Sequence, residues 1–178
     1  TATEATVKQM QYGSTNMLNF VGYQVGEAAL MEAGYYTPPI DPVSNLPKYY
    51  IWTTEKFTQG VYEKQVTLEW GTKIVLTKTN TWSGTFTGKN GVSSLADLKD
   101  PAKHELMIQD VWMNNYSYIE KQLKAANKTW SDVLNQSWAD NWTDNNGLAV
   151  SGSVSASVSG VLAAAHLVGA QGVTNLLL

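Results

Sequence analysis

Cysteine is absent from this sequence of 178 residues. Its absence excludes a disulfide framework, a thiolate metal site and a cysteine nucleophile. Histidine is scarce as well, because the chain holds only His104 and His166, and two isolated histidines argue against a zinc site. The sequence also lacks the glycine-rich motifs that bind phosphates or dinucleotides. We therefore expect no metal and no cofactor.

Charged residues are few. Only 15% of the residues are charged, the formal net charge is −3, and no basic run occurs. Nucleic acids are bound largely through clustered positive charge, so a nucleic acid is not an expected partner. No stretch reaches the run of about 18 apolar residues that is typical of a membrane-spanning helix, so membrane insertion is not expected either.

Aromatic residues with a polar tip are plentiful by contrast. The chain has 7 Trp and 9 Tyr against 3 Phe. Such side chains suit surfaces that are apolar on one side and wet on the other, because their rings pack while their N–H or O–H groups bond. A sugar-binding groove is one such surface, and ordinary packing at the edge of a core is the alternative.

Residue periodicity predicts an α+β domain, mainly α, with one small β-hairpin. Helices are predicted at 2–11 (as the end of a helix), 26–33 with Leu30 and Met31 inward, 100–127 and 130–142, with a last one that starts near Ser157 and breaks at Gly169. Asp100-Pro101 opens the 100–127 helix, Trp112 lies on its apolar stripe and His104 lies on its charged face. Alternating residues predict the hairpin within 61–80. Val66, Leu68 and Trp70 face one side of the first strand, and Ile74 and Leu76 face the same side of the second. The Ser- and Gly-rich range 143–160 is predicted as a loop.

Three separated segments carry a recognisable pattern. Glu4 lies twenty residues before Gln24, which ends a Gly22-Tyr23-Gln24 element placed just ahead of a helix. The second segment is "WSGTFTGKNGV" at 82–92, and the third is "VLAAAHLVGAQGV" at 161–173. In their order and spacing these segments resemble the lysozyme-like superfamily, in particular soluble lytic transglycosylases, goose-type lysozymes and phage-tail muramidases.

The resemblance implies a single lysozyme-like helical domain over 1–178, which either lacks its first helix or is part of a larger protein. It implies that Glu4, at the end of a helix in this family, is the general acid. Gly22, Tyr23 and Gln24 are then the cleft floor, and Trp82 and Tyr12 are walls on which sugars stack. His166 stands where transglycosylases have a Tyr-Asn pair, and would supply part of the contacts of that pair. The implied substrate-binding residues are Tyr12, Gly22, Tyr23, Gln24, Trp82 and His166.

The function implied by the resemblance is cleavage of the β-1,4 bond between N-acetylmuramic acid and N-acetylglucosamine in peptidoglycan. Glycan strands are then the main partner, with other phage-tail, baseplate or secretion-system proteins as further partners. The protein would be associated with a virion, or secreted or periplasmic. Hydrolysis and transglycosylation stay open, because the substrate's own N-acetyl and 6-hydroxyl groups complete the reaction in transglycosylases.

Two departures from the family pattern keep an alternative open. Glu4 is followed by Ala-Thr rather than by Ser/Thr-Gly, and the family's preceding helix has no counterpart in the sequence. A second hypothesis is therefore a non-catalytic, lysozyme-like component of a virion or cell wall, and a third is a hydrolase for chitin or chitosan. Glu27 is the nearest candidate for a second carboxylate, but its expected place is the solvent-facing surface of a helix.

Overall fold

The computed structural model describes residues 3–52, 63–68, 71–134, 136–143 and 145–178 of the protein. The fold is α+β and mainly α, with 44% helix, 21% strand and only small sheets, so the predicted fold class is confirmed. The chain divides into two compact units, Thr1–Val111 and Trp112–Leu178. The prediction of a single domain stays a prediction.

The described residues form seven helices, one short 3₁₀ turn and seven strands. The helices are α1 (Glu4–Gly13), α2 (Glu27–Glu32), α3 (Leu95–Leu98), α4 (Pro101–Ala125), α5 (Trp130–Leu134), α6 (Val158–Val168) and α7 (Ala170–Leu177). The strands are β1 (Tyr36–Thr37), β2 (Lys48–Tyr49), β3 (Glu63–Thr67), β4 (Lys73–Thr77), β5 (Thr85–Phe86), β6 (Ser137–Thr143) and β7 (Ala149–Ser155). The 3₁₀ turn is Lys89–Gly91.

The predicted hairpin is confirmed in the first unit. Strands β3 and β4 pair antiparallel with Val66 opposite Ile74, and β2 joins β4 as a parallel neighbour. Val66, Ile74 and Leu76 are buried, and the half-buried Leu68 packs against them, because the alternation puts all four on the covered face. Trp70, which the pattern assigns to the same face, lies outside the described residues.

Helix boundaries in the first unit follow the local signals of the sequence. The Asp100 carboxylate accepts a hydrogen bond from the backbone N–H of Lys103 at 3.1 Å, and Pro101 opens α4 as predicted. Helix α2 ends before Gly34, whose φ of 77° is the left-handed conformation common after a helix. The main core of this unit consists of Val21, Val25, Leu30, Ala33, Tyr35, Tyr36, Val92, Leu98, Met107, Ile108 and Val111.

The second unit corrects two predictions. The range 130–142 is not one helix, because α5 stops at Leu134 and β6 begins at Ser137. The range 143–160 is not all loop, since β7 pairs with β6 over seven residue pairs, from Ser137–Ser155 to Thr143–Ala149. In β7 small serines alternate with Val150 and Val154, which is the period of a strand. The hairpin turns near Gly147, whose φ is 79°.

The last helical segment behaves as predicted. The Ser157 side chain caps α6 by accepting a hydrogen bond from the N–H of Gly160 at 3.1 Å, and Gly169 separates α6 from α7. The core of this unit consists of Ile119, Leu123, Val133, Val161, Ala165, Val173 and Leu177. Trp112, predicted on the inward stripe of α4, is instead 41% exposed. Within the described ranges, no helix combines the length and the apolar character needed to span a membrane.

Candidate functional site

An open groove of about 650 Å³ lies in the first unit. Three pieces of chain form it: the loop after α1, the 81–86 segment that leads into β5, and the residues around α3. The lining residues are Thr15, Asn19, Thr81, Trp82, Phe86, Ser93, Ser94, Leu95 and Lys99. The groove therefore combines two aromatic rings with hydroxyl, amide and ammonium groups, and this mixture can both stack against a polar ligand and bond to it.

The aromatic part of the groove is a stacked pair, Trp82 and Phe86. Their ring centroids are 6.1 Å apart and their planes differ by 18°. The indole N–H of Trp82 donates to the backbone carbonyl of Asn19 at 2.9 Å, which ties the ring to the loop after α1. Both rings are half-buried, so each keeps part of its surface available. We call Trp82 and Phe86 the aromatic wall.

Glu27 is the main polar residue that sequence reasoning misplaces. The expected position is the surface of a helix, yet the Glu27 side chain is 0% exposed. Its Oε1 accepts hydrogen bonds from the backbone N–H of Trp82 at 2.7 Å and from the Tyr36 hydroxyl at 3.0 Å. Its Oε2 accepts one from the backbone N–H of Tyr50 at 3.0 Å. Glu27 is thus a buried carboxylate that joins distant segments.

A signal for this burial is present in the sequence. Glu27 is three and four residues before Leu30 and Met31, which are both predicted to point inward, and residues at these spacings share one face of a helix. A glutamate on that face has to find donors, because a buried carboxylate without partners is costly. What the spacing does not reveal is where those donors come from.

The Gly22-Tyr23-Gln24 element is a tight turn. The backbone groups of Val21 and Val25 exchange two hydrogen bonds of 3.0 Å across it. Gly22 has a φ of 56° and Gln24 a φ of 60°, and Gln24 is exposed. The predicted turn is therefore present, although none of its three residues is among those that line the groove.

His104 is a buried support for this turn and not, as predicted, a residue on a charged helix face. Its ring is 0% exposed and lies directly against Gly22, where a Cβ would come within 2.7 Å of Nε2. Its Nδ1 is 2.8 Å from the carbonyl oxygen of Leu98, which can only accept, so this nitrogen carries the proton. The other nitrogen, Nε2, accepts from the backbone N–H of Tyr23 at 3.5 Å.

Tyr12 and Tyr23 meet at Glu105, a carboxylate that the sequence does not single out. The Tyr12 hydroxyl donates to Glu105 Oε1, and the Tyr23 hydroxyl donates to the same oxygen at 3.1 Å. The hydrogen bond to Glu105 is the main reason why the pKa of Tyr12 is raised above its ordinary value. Tyr12 is only 7% exposed, so it offers little ring surface for a sugar, which contradicts its predicted role as a wall.

Glu4 lies in the first turn of α1 and is exposed to solvent. The Thr3 side chain caps that helix by accepting from the N–H of Thr6 at 3.2 Å, so α1 is a helix with its own start. The helix continues to Gly13, about 13 Å further along its axis at 1.5 Å per residue. The resemblance implies a glutamate at the end of a helix, whereas the structure has Glu4 at the beginning of one.

The remaining predicted residue, His166, belongs to α6 of the second unit and is half-buried. Of the predicted site residues, Trp82 lines the groove of the first unit, whereas His166 belongs to the second unit. Among the described residues, no three His, Cys, Asp or Glu side chains are grouped so that they could hold a metal ion.

Comparison with known proteins adds no relative. No family profile matches the chain, and neither the curated proteins nor the solved structures contain a significant match. The likeness to lysozyme-like proteins therefore depends on the three sequence segments alone.

Proposed function

We propose that the protein is a peptidoglycan glycosidase of the lysozyme-like superfamily, which binds a glycan strand in the groove of the first unit. The observation that carries the proposal is the aromatic wall beside hydroxyl and amide side chains. Sugars present apolar C–H faces that stack on such rings and hydroxyls that bond to side chains such as Thr15, Asn19 and Ser94. The virion-associated, secreted or periplasmic setting and the phage-tail or secretion-system partners are part of this proposal.

Glu4 is the proposed general acid for the β-1,4 bond between N-acetylmuramic acid and N-acetylglucosamine. A carboxyl group protonates a leaving oxygen near neutral pH only when apolar cover keeps it protonated. Because Glu4 is exposed in the free protein, the bound glycan has to supply that cover. The turn of Gly22, Tyr23 and Gln24 lines no part of this groove, so its role as the cleft floor depends on the resemblance alone.

A non-catalytic, glycan-binding role is the second candidate. The exposure of Glu4 and its position in the first turn of α1 favour it, because neither is expected of a general acid. In this role the groove and its aromatic wall still bind the glycan. The protein then attaches a virion or a secreted assembly to the cell wall without cutting it.

Glu4→Gln separates the two candidates. If Glu4 is the general acid, the substitution lowers the rate of clearing of purified cell walls by about 10² to 10⁴, since this is what a positioned acid contributes. The measurement is loss of turbidity together with mass analysis of released muropeptides, which also distinguishes hydrolysis from formation of an anhydro sugar. Glu120→Gln, a change of the same kind in the second unit, is the matched control and keeps wild-type activity.

Three further outcomes would reject or support one of the two candidate functions. Equal activity of wild type and Glu4→Gln rejects Glu4 as the acid. Sedimentation with cell walls that Trp82→Ala abolishes, without any release of muropeptides, supports the non-catalytic candidate. A wild-type protein that neither sediments with cell walls nor releases muropeptides rejects the proposed function altogether.

A further inference from the structure

We infer that Glu27 is a positioning residue for the groove: its buried carboxylate sets the place and orientation of Trp82, and thereby the surface on which a saccharide stacks. The inference rests on the proposed function for its ligand, but the contacts that carry it lie within the protein. Glu27 itself lines no part of the groove and acts only through its neighbours.

The first step is the direct contact with the 81–82 backbone. Glu27 Oε1 accepts from the N–H of Trp82 at 2.7 Å and from the N–H of Thr81 at 3.2 Å. Two consecutive backbone groups are therefore held by one oxygen atom inside the protein. Hydrogen bonds to a carboxylate are among the stronger ones available to a backbone N–H, so this is an effective clamp.

The second step is a relay through Tyr36. The Tyr36 hydroxyl donates to Glu27 Oε1 at 3.0 Å and accepts from the backbone N–H of Gly84 at 2.6 Å. The same carboxylate thus holds the chain on both sides of Ser83. The Tyr36 ring also contacts both members of the aromatic wall edge-on, with centroid distances of 5.8 Å to Trp82 and 5.3 Å to Phe86.

The third step is the backbone conformation that the clamp maintains. Trp82 has a φ of 53°, in the left-handed region that a bulky residue rarely adopts. Such a conformation persists only where the surroundings over-determine it, and it is found mainly at binding sites and active sites. Here the N–H of Trp82 is held by Glu27 and its indole N–H by the carbonyl of Asn19, so both ends of the residue are fixed.

The competing explanation is that Glu27 has a purely structural role. Substitutions of two neighbouring tyrosines distinguish this role from the positioning of Trp82. Tyr35 and Tyr36 are both buried, and each donates its hydroxyl to a carboxylate, Asp110 at 2.7 Å and Glu27 at 3.0 Å respectively. Only the Tyr36 bond leads to the groove. Tyr35→Phe is therefore a matched control for Tyr36→Phe, because each substitution removes one buried hydroxyl group at adjacent positions of the chain.

The test uses the protein labelled with 5-fluorotryptophan, in which Trp82→Phe assigns the fluorine resonance of Trp82. We expect Tyr36→Phe and Glu27→Gln to shift or broaden that resonance in the absence of ligand, whereas Tyr35→Phe leaves it in place. Tyr36→Phe keeps the test valid if Glu27→Gln fails to fold. A Trp82 resonance that is the same in Tyr36→Phe as in Tyr35→Phe and wild type overturns the inference.

Affinity for a soluble oligomer of N-acetylglucosamine is the second measurement. We expect about fivefold weaker binding for Tyr36→Phe, the effect of one lost hydrogen bond, and unchanged binding for Tyr35→Phe. Equal affinity of both variants overturns the link between Glu27 and the ligand. If the wild type binds no saccharide, the proposed function fails on that result alone, and the fluorine comparison still decides whether Glu27 positions Trp82.

Discussion

Gly22 connects a backbone requirement with a packing requirement at a single residue. Its φ of 56° is in the left-handed region, where glycine carries no steric penalty. The buried ring of His104 also occupies the place that a Cβ on residue 22 would take. The turn and the buried histidine therefore depend on each other.

Gly22→Ala is expected to lower the free energy of unfolding by about 3 kcal/mol, combining the cost of a left-handed alanine with displacement of a packed ring. Gly147→Ala is the matched control, because Gly147 has a φ of 79° and, among the described residues beyond its two chain neighbours, no atom lies within 4 Å of the position that its new methyl group would take. It should lose only about 1 kcal/mol. Urea unfolding followed by circular dichroism measures both, and equal losses would contradict the close contact with His104.

Single polar residues are harder to predict than the elements that carry them. The sequence places Glu27 and His104 on helices correctly, but their charged or polar character predicts both in solvent, although the spacing of Glu27 from Leu30 is that of a buried face. The partners that bury them come from elsewhere in the sequence: Glu27 is held by Thr81 and Trp82, and His104 by the turn at Gly22. Local periodicity carries no information on such pairings, because it describes one element at a time.

At the scale of elements, the second unit shows why one stretch is mispredicted. Val133, Leu134 and Trp138 fit the spacing of a helical face, which predicts a single helix. Trp138 in fact belongs to β6, opposite Val154 of β7. The sequence of its partner strand, β7, is typical of a loop because its serines lower its hydrophobicity, although it has the alternation of a strand. By contrast, the helices begun by Asp100-Pro101 and by Ser157 carry capping signals that are local and unambiguous.

The cap of α6 gives a prediction at this scale. Ser157→Ala removes the oxygen that accepts from the N–H of Gly160, and should lower the free energy of unfolding by about 1 kcal/mol. Ser153→Ala, at an exposed position of β7, makes the same chemical change away from any helix start and should have an effect within about 0.5 kcal/mol. Thermal or urea unfolding compares the two. If Ser153→Ala costs as much as Ser157→Ala, the cap contributes nothing measurable.

At the scale of the whole molecule, the proposed site depends on segments that are distant in sequence. The sequence alone supplies Trp82, because it belongs to a recognisable motif; the Gly22-Gln24 turn is also predicted, but it does not line the groove. Phe86 belongs to the same 82–92 motif, but nothing in that motif marks it as a partner of Trp82. The Ser93–Lys99 side of the groove carries no motif of its own and becomes a neighbour of the aromatic wall only through folding. Glu4 follows from the resemblance alone, and its exposure is why the Glu4→Gln experiment is the decisive one.

The buried tyrosines give the whole protein a characteristic response to alkaline pH. Burial is the main reason why the pKa of Tyr35 is raised to about 12, and it also raises the pKa values of Tyr36, Tyr49 and Tyr50. The pKa of Tyr12 is raised chiefly by its hydrogen bond to Glu105. An unfolded tyrosine loses its proton near pH 10, so between about pH 10 and 12 the folded chain binds more protons than the unfolded chain.

The contribution of these tyrosines to the free energy of unfolding should therefore not change with pH below about pH 9, and it should fall as the pH rises through about 10 toward 12. Urea unfolding between pH 8 and pH 11 measures the fall, and the absorbance of tyrosinate near 295 nm shows which hydroxyls stay protonated in the native state. Tyr35→Phe removes one such group and should reduce the slope by up to about 1.4 kcal/mol per pH unit. Tyr35→Phe with an unchanged slope would mean that the Tyr35 hydroxyl, although 0% exposed and bonded to Asp110, titrates as it does in the unfolded chain.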